Sequence, residues 1–382
     1  MTNAEINQKK PIYRAFSDYL KERYGEKVYK LPIALPVTCP NRDGSIITSN
    51  LTSPNRDGSI TTSNLASPNR DGSITTSNLT SPNRDGSITT SNLTSPNRDG
   101  FCGNGNNGCT FCGEIGAGYE NLPRTMTITE QITANKAHIV PKYKAKKFIP
   151  YFQNFSNTYV ELAKLISWVE EAASVADVVA IYIATRPDCV NDEYLAALKQ
   201  SADKHNIDIC VELGLQSTNV HTLKNINRGH TLAELIDAVQ RIRHYGLQSC
   251  VHLILNLPWD DELDVIEDAK ILSALKVDQV KLHALYIVKG TQMAKDYEAG
   301  NLTMISREEY EDRVIKFLEY LAPDIVLQRI IGRAPEANTL FSNWHTGWWK
   351  IRDHIVNVMA QEGRYQGRLC DYLNGKALKN LV

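Results

Sequence analysis

Cys39, Cys102, Cys109 and Cys112 gather in one polar, glycine-rich region of a 382-residue chain that holds eight cysteines in all. Cys109 and Cys112 form a C-x-x-C within GCTFC, and Cys39 opens the phrase CPNRDG directly after the apolar run LPIALPV. Between them the phrase recurs without its cysteine, with Pro40, Pro54, Pro68, Pro82 and Pro96 spaced 14 residues apart. Ser45 to Gly100 spans 56 residues, four such units. Excising it joins Gly44 to Phe101 and leaves 13 residues between Cys39 and Cys109. Three cysteines so placed suit an iron–sulfur cluster with one iron left open, since the glycines let backbone amides approach the cluster sulfides. With Cys102 as a fourth ligand, a tetrahedral structural zinc site suits the same residues. On the cysteines alone the two readings are even.

The repeat unit, SPNRDGSITTSNLT, carries only Ile and Leu as strong apolar residues. Such a unit buries too little surface to offset the entropy of ordering it, so a loose or disordered insertion is expected. One carboxylate per unit is too few for a calcium repeat. The net charge of -1 gives no global field for nucleic acid. The sequence has no apolar run of membrane-spanning length, and MTNAEINQKK lacks the apolar core of a signal peptide. Clustered cysteines too few for a disulfide scaffold point to a reducing compartment, so the expectation is a cytoplasmic protein without a membrane partner.

Positioning the cysteines falls to a relay of strands and helices. Apolar strand candidates lie at Ile33–Thr38, Phe148–Gln153, Val178–Ala184, Ile207–Leu213, Cys250–Leu255 and Gln279–Leu285. Amphipathic patterns such as TYVELAKLISWVEEAA and TLAELIDAVQRIRHYG separate them. Six strands alternating with helices argue for a parallel α/β architecture, either a barrel or an open sheet. In a barrel the chemistry sits on loops after the strand C-termini. Those loops read CPNRDG, NFSNT, TRPD, GLQS, NLPW and HALYIVKGT, where polar and turn residues concentrate.

The segments ATRPD, VELGLQS, INRGHT, LNLPW and KLHALYIVKGT, in that order, resemble the radical-SAM core of the elongator catalytic subunit. With GEKVYKLPIALPVTCPNRDG, GCTFC and YFQNFSNTY added, the pattern is similar to the YhcC/YtqA-type bacterial radical-SAM family over nearly the whole chain apart from the repeats. The resemblance implies a partial (β/α)6 barrel as the core, residues 1–300. The insertion at 45–100 lies in its cluster loop, and 301–382 form a helical C-terminal extension. It implies a [4Fe–4S] cluster and S-adenosylmethionine (SAM) as cofactors, with Cys39, Cys109 and Cys112 as cluster ligands. It places Phe111 near the adenine, Asn154 and Asn157 at the methionine amino end, and Arg186, Glu212 and Gln216 around the ribose and carboxylate. The implied reaction is reductive cleavage of SAM to a 5′-deoxyadenosyl radical. An electron donor such as flavodoxin or ferredoxin is the expected partner, and a tRNA nucleoside the expected substrate. Cys102, as Cys102-x6-Cys109, competes with Cys39 for the first ligand position. Other readings of the same chain are a zinc-stabilised binding module and a family member disabled by its insertion.

Several residues also have simpler readings. Arg186-Pro187-Asp188 suits a strand-ending turn, and His230 with Thr231 suits a helix cap. His252 and His283 suit satisfied core histidines, and Cys189, Cys210, Cys250 and Cys370 suit buried thiols. PKYKAKKF reads first as a solvated loop, and NWHTGWWK as the apolar face of a C-terminal helix. The second is also the combination of aromatic and basic groups that stacks and holds a nucleobase.

Overall fold

Seven parallel strands form the centre of the computed structural model, which describes residues 11–42, 108–113, 121–333, 338–379 and 381. The repeat segment 45–100 and Cys102 lie outside the described residues. After α1 (Phe16–Tyr24), the chain enters β1 (Val28–Ile33) and then α2 (Ile128–Tyr143), β2 (Lys147–Phe152) and α3 (Leu162–Ala173). The alternation continues through β3 (Ala180–Thr185), α4 (Asp192–His205), β4 (Asp208–Gln216), α5 (Val220–Asn225) and α6 (Leu232–His244). It closes with β5 (Gln248–Ile254), α7 (Glu262–Leu275) and β6 (Gln279–His283).

Sequential strands pair side by side, in the order expected when every crossover has one hand. Strand β3 is buried along its whole length, as a parallel strand covered on both faces must be. Several of the helices start on side-chain caps: Thr127, Thr231 and Asp261 each complete a reciprocal capping box, and Asn191 caps α4. Leu165, Val169 and Ala172 of α3 lie on one face and are fully buried. Truncating a residue such as Leu165 to Ala would cost about 2–5 kcal/mol.

Two features go beyond the sequence expectation. The first strand ends at Ile33, where a strand over Ile33–Thr38 was expected. Beyond it the Gln131 side chain bonds both the amide and the carbonyl of Ala34, replacing ladder partners, and Pro36 has no N–H to give. The segment after residue 300 is also more than helical. Past β7 (Ile287–Val288), α8 (Gln292–Glu298) and α9 (Arg307–Tyr320), β8 (Val326–Arg329) joins β6 as the seventh strand. The chain then forms β9 (Thr339–Phe341), antiparallel to β7, and α10 (Trp348–Gln361). The sheet curls: Lys30 on β1 bonds Gln328 on β8 at 2.9 Å, and Ala15 bridges Leu327. The two outermost strands thus meet across the interior of a half-barrel.

Candidate functional site

The loops after β1, β3 and β4 converge at one end of the half-barrel, where Cys39 and Cys109 are buried and Cys112 is half-buried. Asn41 ties them together. Its Nδ2 donates to the carbonyls of Asn227 and Arg228 at 2.7 and 3.0 Å and lies 3.7 Å from Cys109 Sγ. Its Oδ1 accepts from Arg186 Nη1 at 2.5 Å, and the same Nη1 reaches Cys39 Sγ at 3.9 Å. Arg228 Nη1 approaches Cys109 Sγ at 3.5 Å, while its other nitrogens hold the Gly214 carbonyl. The short C-x-x-C segment is docked by backbone: Gly108 N donates to Asn41 O, Thr110 N to Ile226 O, and Met293 N to Thr110 O.

The turn Ile226–His230 is therefore the anvil for the cysteines. Gly229 has φ +75°, and a Cβ there would stand 2.4 Å from Asn41 Oδ1, so only glycine lets the two loops meet. Arg186 folds back on Asp188 at 2.8 and 2.6 Å and also donates to the Gly229 carbonyl. Burial works against its charge, but Asp188 holds the guanidinium protonated well above its usual range. Burial, then the neighbouring Cys109, pushes the Cys112 thiol up to about 12. His230 is not the helix cap; its Nε2 donates to Gly214 O at 3.1 Å, and burial followed by Arg228 takes it down to about 3. Thr231 is the helix cap.

A cavity of about 1260 Å³ opens against the cysteines. Cys39, Cys109, Phe111, Cys112, Arg186, Glu212 and Gln216 all face it. Gln216 does so from a bulge in the β4–β5 pairing with φ +89°, a strained conformation for a side-chain-bearing residue. Asn154 and Asn157 are not on its wall. Asn157 is fully buried and gives its amide to the carbonyls of Phe152, Asn154 and Ala184, stitching β2 to β3. Asn154 Oδ1 is buried without a hydrogen-bond partner among the described residues.

Deeper in the barrel Glu212 is the hub of a buried charge cluster. It pairs with Lys30, with Lys281 at 3.2 Å and with His252 at 2.9 Å, and accepts from Gln328 at 2.7 Å. Burial opposes its charge, yet Lys281 and Lys30 hold its carboxyl well below the usual range. Burial takes Lys281 down to about 7 and His252 to about 4. Cys250 and His252 could join Glu212 around a cation, but two ammonium groups already occupy its oxygens. Cys210 and Cys250 are fully buried thiols. The motif NWHTGWWK divides: Trp344 packs on Phe341 and Tyr310 and bonds the Ile305 carbonyl, whereas Trp348 and Trp349 face the cavity.

Comparison with known proteins decides the family. Residues 101–272 match the Radical SAM superfamily and 277–361 the Radical_SAM C-terminal domain. The YtqA protein of Bacillus subtilis (strain 168) is 36% identical over 359 residues, covering 93% of this chain and 92% of that protein. The chain belongs to the YhcC/YtqA-type radical SAM family. Protein YhcC of Escherichia coli (strain K12) is 36% identical over 364 residues, 94% of this chain and 97% of that protein. The tRNA uridine(34) acetyltransferase of Methanocaldococcus jannaschii is 30% identical over 166 residues, only 41% of this chain and 29% of that protein. The solved archaeal Methanocaldococcus infernus Elp3, lacking its N-terminus, shares the fold with TM-score 0.54 at 18% identity, covering 63% of this chain and 61% of that one.

Members of this superfamily use a [4Fe–4S] cluster and SAM. The residues here fit both. Cys39, Cys109 and Cys112 are free thiols at one mouth, with N–H groups of Asn41, Arg186 and Arg228 turned toward two of their sulfurs. The adjoining cavity exceeds the 300–1,000 Å³ that a single small ligand commonly fills.

Asn41, Arg228, Lys30, Lys281 and Arg329 were not among the sequence-predicted site residues. Asn41 and Arg228 stand inside CPNRDG and INRGHT, and each lysine interrupts an otherwise apolar strand, VYKLPI or QVKLH. A cation that a strand turns toward the barrel interior needs a partner, which is the signal that marks these lysines.

Proposed function

We propose that this chain is a radical SAM enzyme acting on a tRNA nucleoside. The cofactor pair supplies one-electron chemistry: reductive cleavage of SAM to a hydrogen-abstracting 5′-deoxyadenosyl radical, with the electron coming from a donor such as flavodoxin or ferredoxin. Cys39, Cys109 and Cys112 hold the cluster, while Asn41 orients the Cys109 sulfur and Arg186 and Arg228 set positive charge beside Cys39 and Cys109. Phe111, Arg186 and Gln216, all on the cavity wall, hold SAM. Asn157 acts one step back, by fixing the Phe152–Asn154 turn.

The observation that carries the reading is one cavity shared by the cysteines and by Trp348 and Trp349. Aromatic faces and cations together suit a flipped or single-stranded nucleoside. The partial match to a tRNA uridine(34) acetyltransferase supports the same substrate class. In this reading residues 1–300 are the radical core, and the 301–382 segment supplies the opposite wall through Ser342–Trp349.

The test is anaerobic incubation of the reconstituted, reduced protein with SAM and bulk tRNA, followed by nucleoside mass spectrometry. The reading expects tRNA to raise 5′-deoxyadenosine formation several-fold and to yield a nucleoside of altered mass. Unchanged product and unchanged nucleosides would remove tRNA as the substrate.

A further inference from the structure

Six arginine and lysine side chains line the cavity among the described residues, against a single carboxylate, Glu212. Those near the cysteines, Arg42, Arg186 and Arg228, have thiolates to face once the sulfurs are ligated. At the other side the balance is different. Glu212 is shared between Lys30 and Lys281, so it has no charge to spare. Arg329, at the C-terminal end of β8, has no carboxylate partner among the described residues. Its Nη2 donates to His283 Nδ1 at 2.7 Å, and its Nε is buried with no partner. A histidine that accepts this bond is neutral at that nitrogen and cannot balance the guanidinium. Burial followed by Arg329 itself keeps His283 from taking a proton. Gly332 lies against the guanidinium, where a Cβ would come within 2.7 Å of Arg329 Cζ, so the side chain is packed in place.

A fixed guanidinium lining a cavity, with an unused N–H and no counter-charge, is built to receive an anion. We infer that Arg329, backed by Lys281 and His283, forms a subsite for a phosphate or carboxylate group of the substrate. The subsite is separate from the place of SAM's own carboxylate. The N–H groups that approach Cys39 and Cys109 come instead from Asn41, Arg186 and Arg228. The inference rests on the cavity being the substrate chamber, but not on the substrate being tRNA.

The experiment uses the full-length, cluster-reconstituted protein. Inorganic phosphate and acetate are each titrated against its melting temperature at constant ionic strength, and SAM affinity is measured by calorimetry. Arg329→Gln is expected to weaken the effect of the bound anion at least tenfold, Arg329→Lys less than threefold, and SAM affinity to stay unchanged in both. Phosphate acting where acetate does not identifies a phosphate group, and the reverse a carboxylate. Anion effects equal in wild type and Arg329→Gln would overturn the subsite. A parallel loss of SAM affinity would overturn it too, by handing Arg329 to the cofactor. A negative tRNA result would leave the anion measurement standing.

Discussion

Asn41 and Arg186 meet at 2.5 Å between the loop that carries Cys39 and the strand end of β3, and the same carboxamide reaches toward Cys109. One neutral side chain thereby sets the relative position of cysteines far apart in sequence. Asn41→Ala removes that link and leaves the Asn227 and Arg228 carbonyls without their donor. Iron retained after anaerobic reconstitution and desalting should fall at least twofold, while stability falls by about 1–3 kcal/mol. Unchanged iron content would show that the loops hold themselves.

Gly229 and Gly300 form a matched pair for testing the same junction. Both have positive φ, +75° and +74°, but only at Gly229 would a Cβ strike a neighbour. Gly300→Ala should cost about 1–2 kcal/mol from backbone strain alone. Gly229→Ala should cost more and also lower iron retention, read by iron analysis alongside urea melts. Equal behaviour of the two variants would mean that contact with Asn41 is not what fixes Gly229.

The buried charges of the barrel give a pH signature. Glu212 has a depressed folded-state pKa, so its contribution is complete above the unfolded value near 4.3 and lost as pH falls through the lower folded one. Lys281 runs the other way. With a folded value of about 7 against roughly 10.4 unfolded, the unfolded chain holds the extra proton between these limits. Stability should therefore rise from pH 7 to 9 by up to about 1.4 kcal/mol per unit from this group. Lys281→Met should flatten that slope in urea melts, and an unaltered slope would contradict the assignment. Glu212→Gln, which strands two ammonium groups, should cost about 3–5 kcal/mol.

Much of this arrangement is legible in the chain itself. Alternating strands and helices announce a parallel α/β fold, and the loop phrases name the end that carries the site. Cys39, Phe111, Arg186 and Gln216 come together at that end as their positions after successive strands require. What local pattern cannot reveal is contact across the barrel. Strand β8 reads as an unremarkable VLQR, yet it completes the sheet and presents Arg329. Glu212 looks like a ligand by its isolation on an apolar strand, and its partners Lys30 and Lys281 come from strands about 180 residues before it and 69 after it. Asn157, in a loop of polar residues, is consumed by backbone carbonyls that only the folded β2–β3 junction brings near.

The tryptophans of NWHTGWWK should separate by role. Trp344→Ala loses ring packing and the bond to Ile305, costing about 3 kcal/mol of stability. Trp349, 51% exposed at the cavity rim, contributes little to folding. Trp348→Ala with Trp349→Ala should instead lower tRNA-stimulated product formation several-fold at nearly unchanged melting temperature. A stability loss without a change in stimulation would make both tryptophans structural.

The insertion raises the entropic cost of closing the cysteine loop by only about 1–2 kcal/mol, so assembly of the site should survive it. The most direct measurement is 5′-deoxyadenosine released from SAM by the anaerobically reconstituted, reduced full-length chain, with iron and acid-labile sulfide determined on the same sample. The account predicts product from the full chain and from Cys102→Ala, and none from Cys39→Ala, Cys109→Ala or Cys112→Ala. Bound zinc without sulfide and no product, with or without residues 45–100, would contradict it.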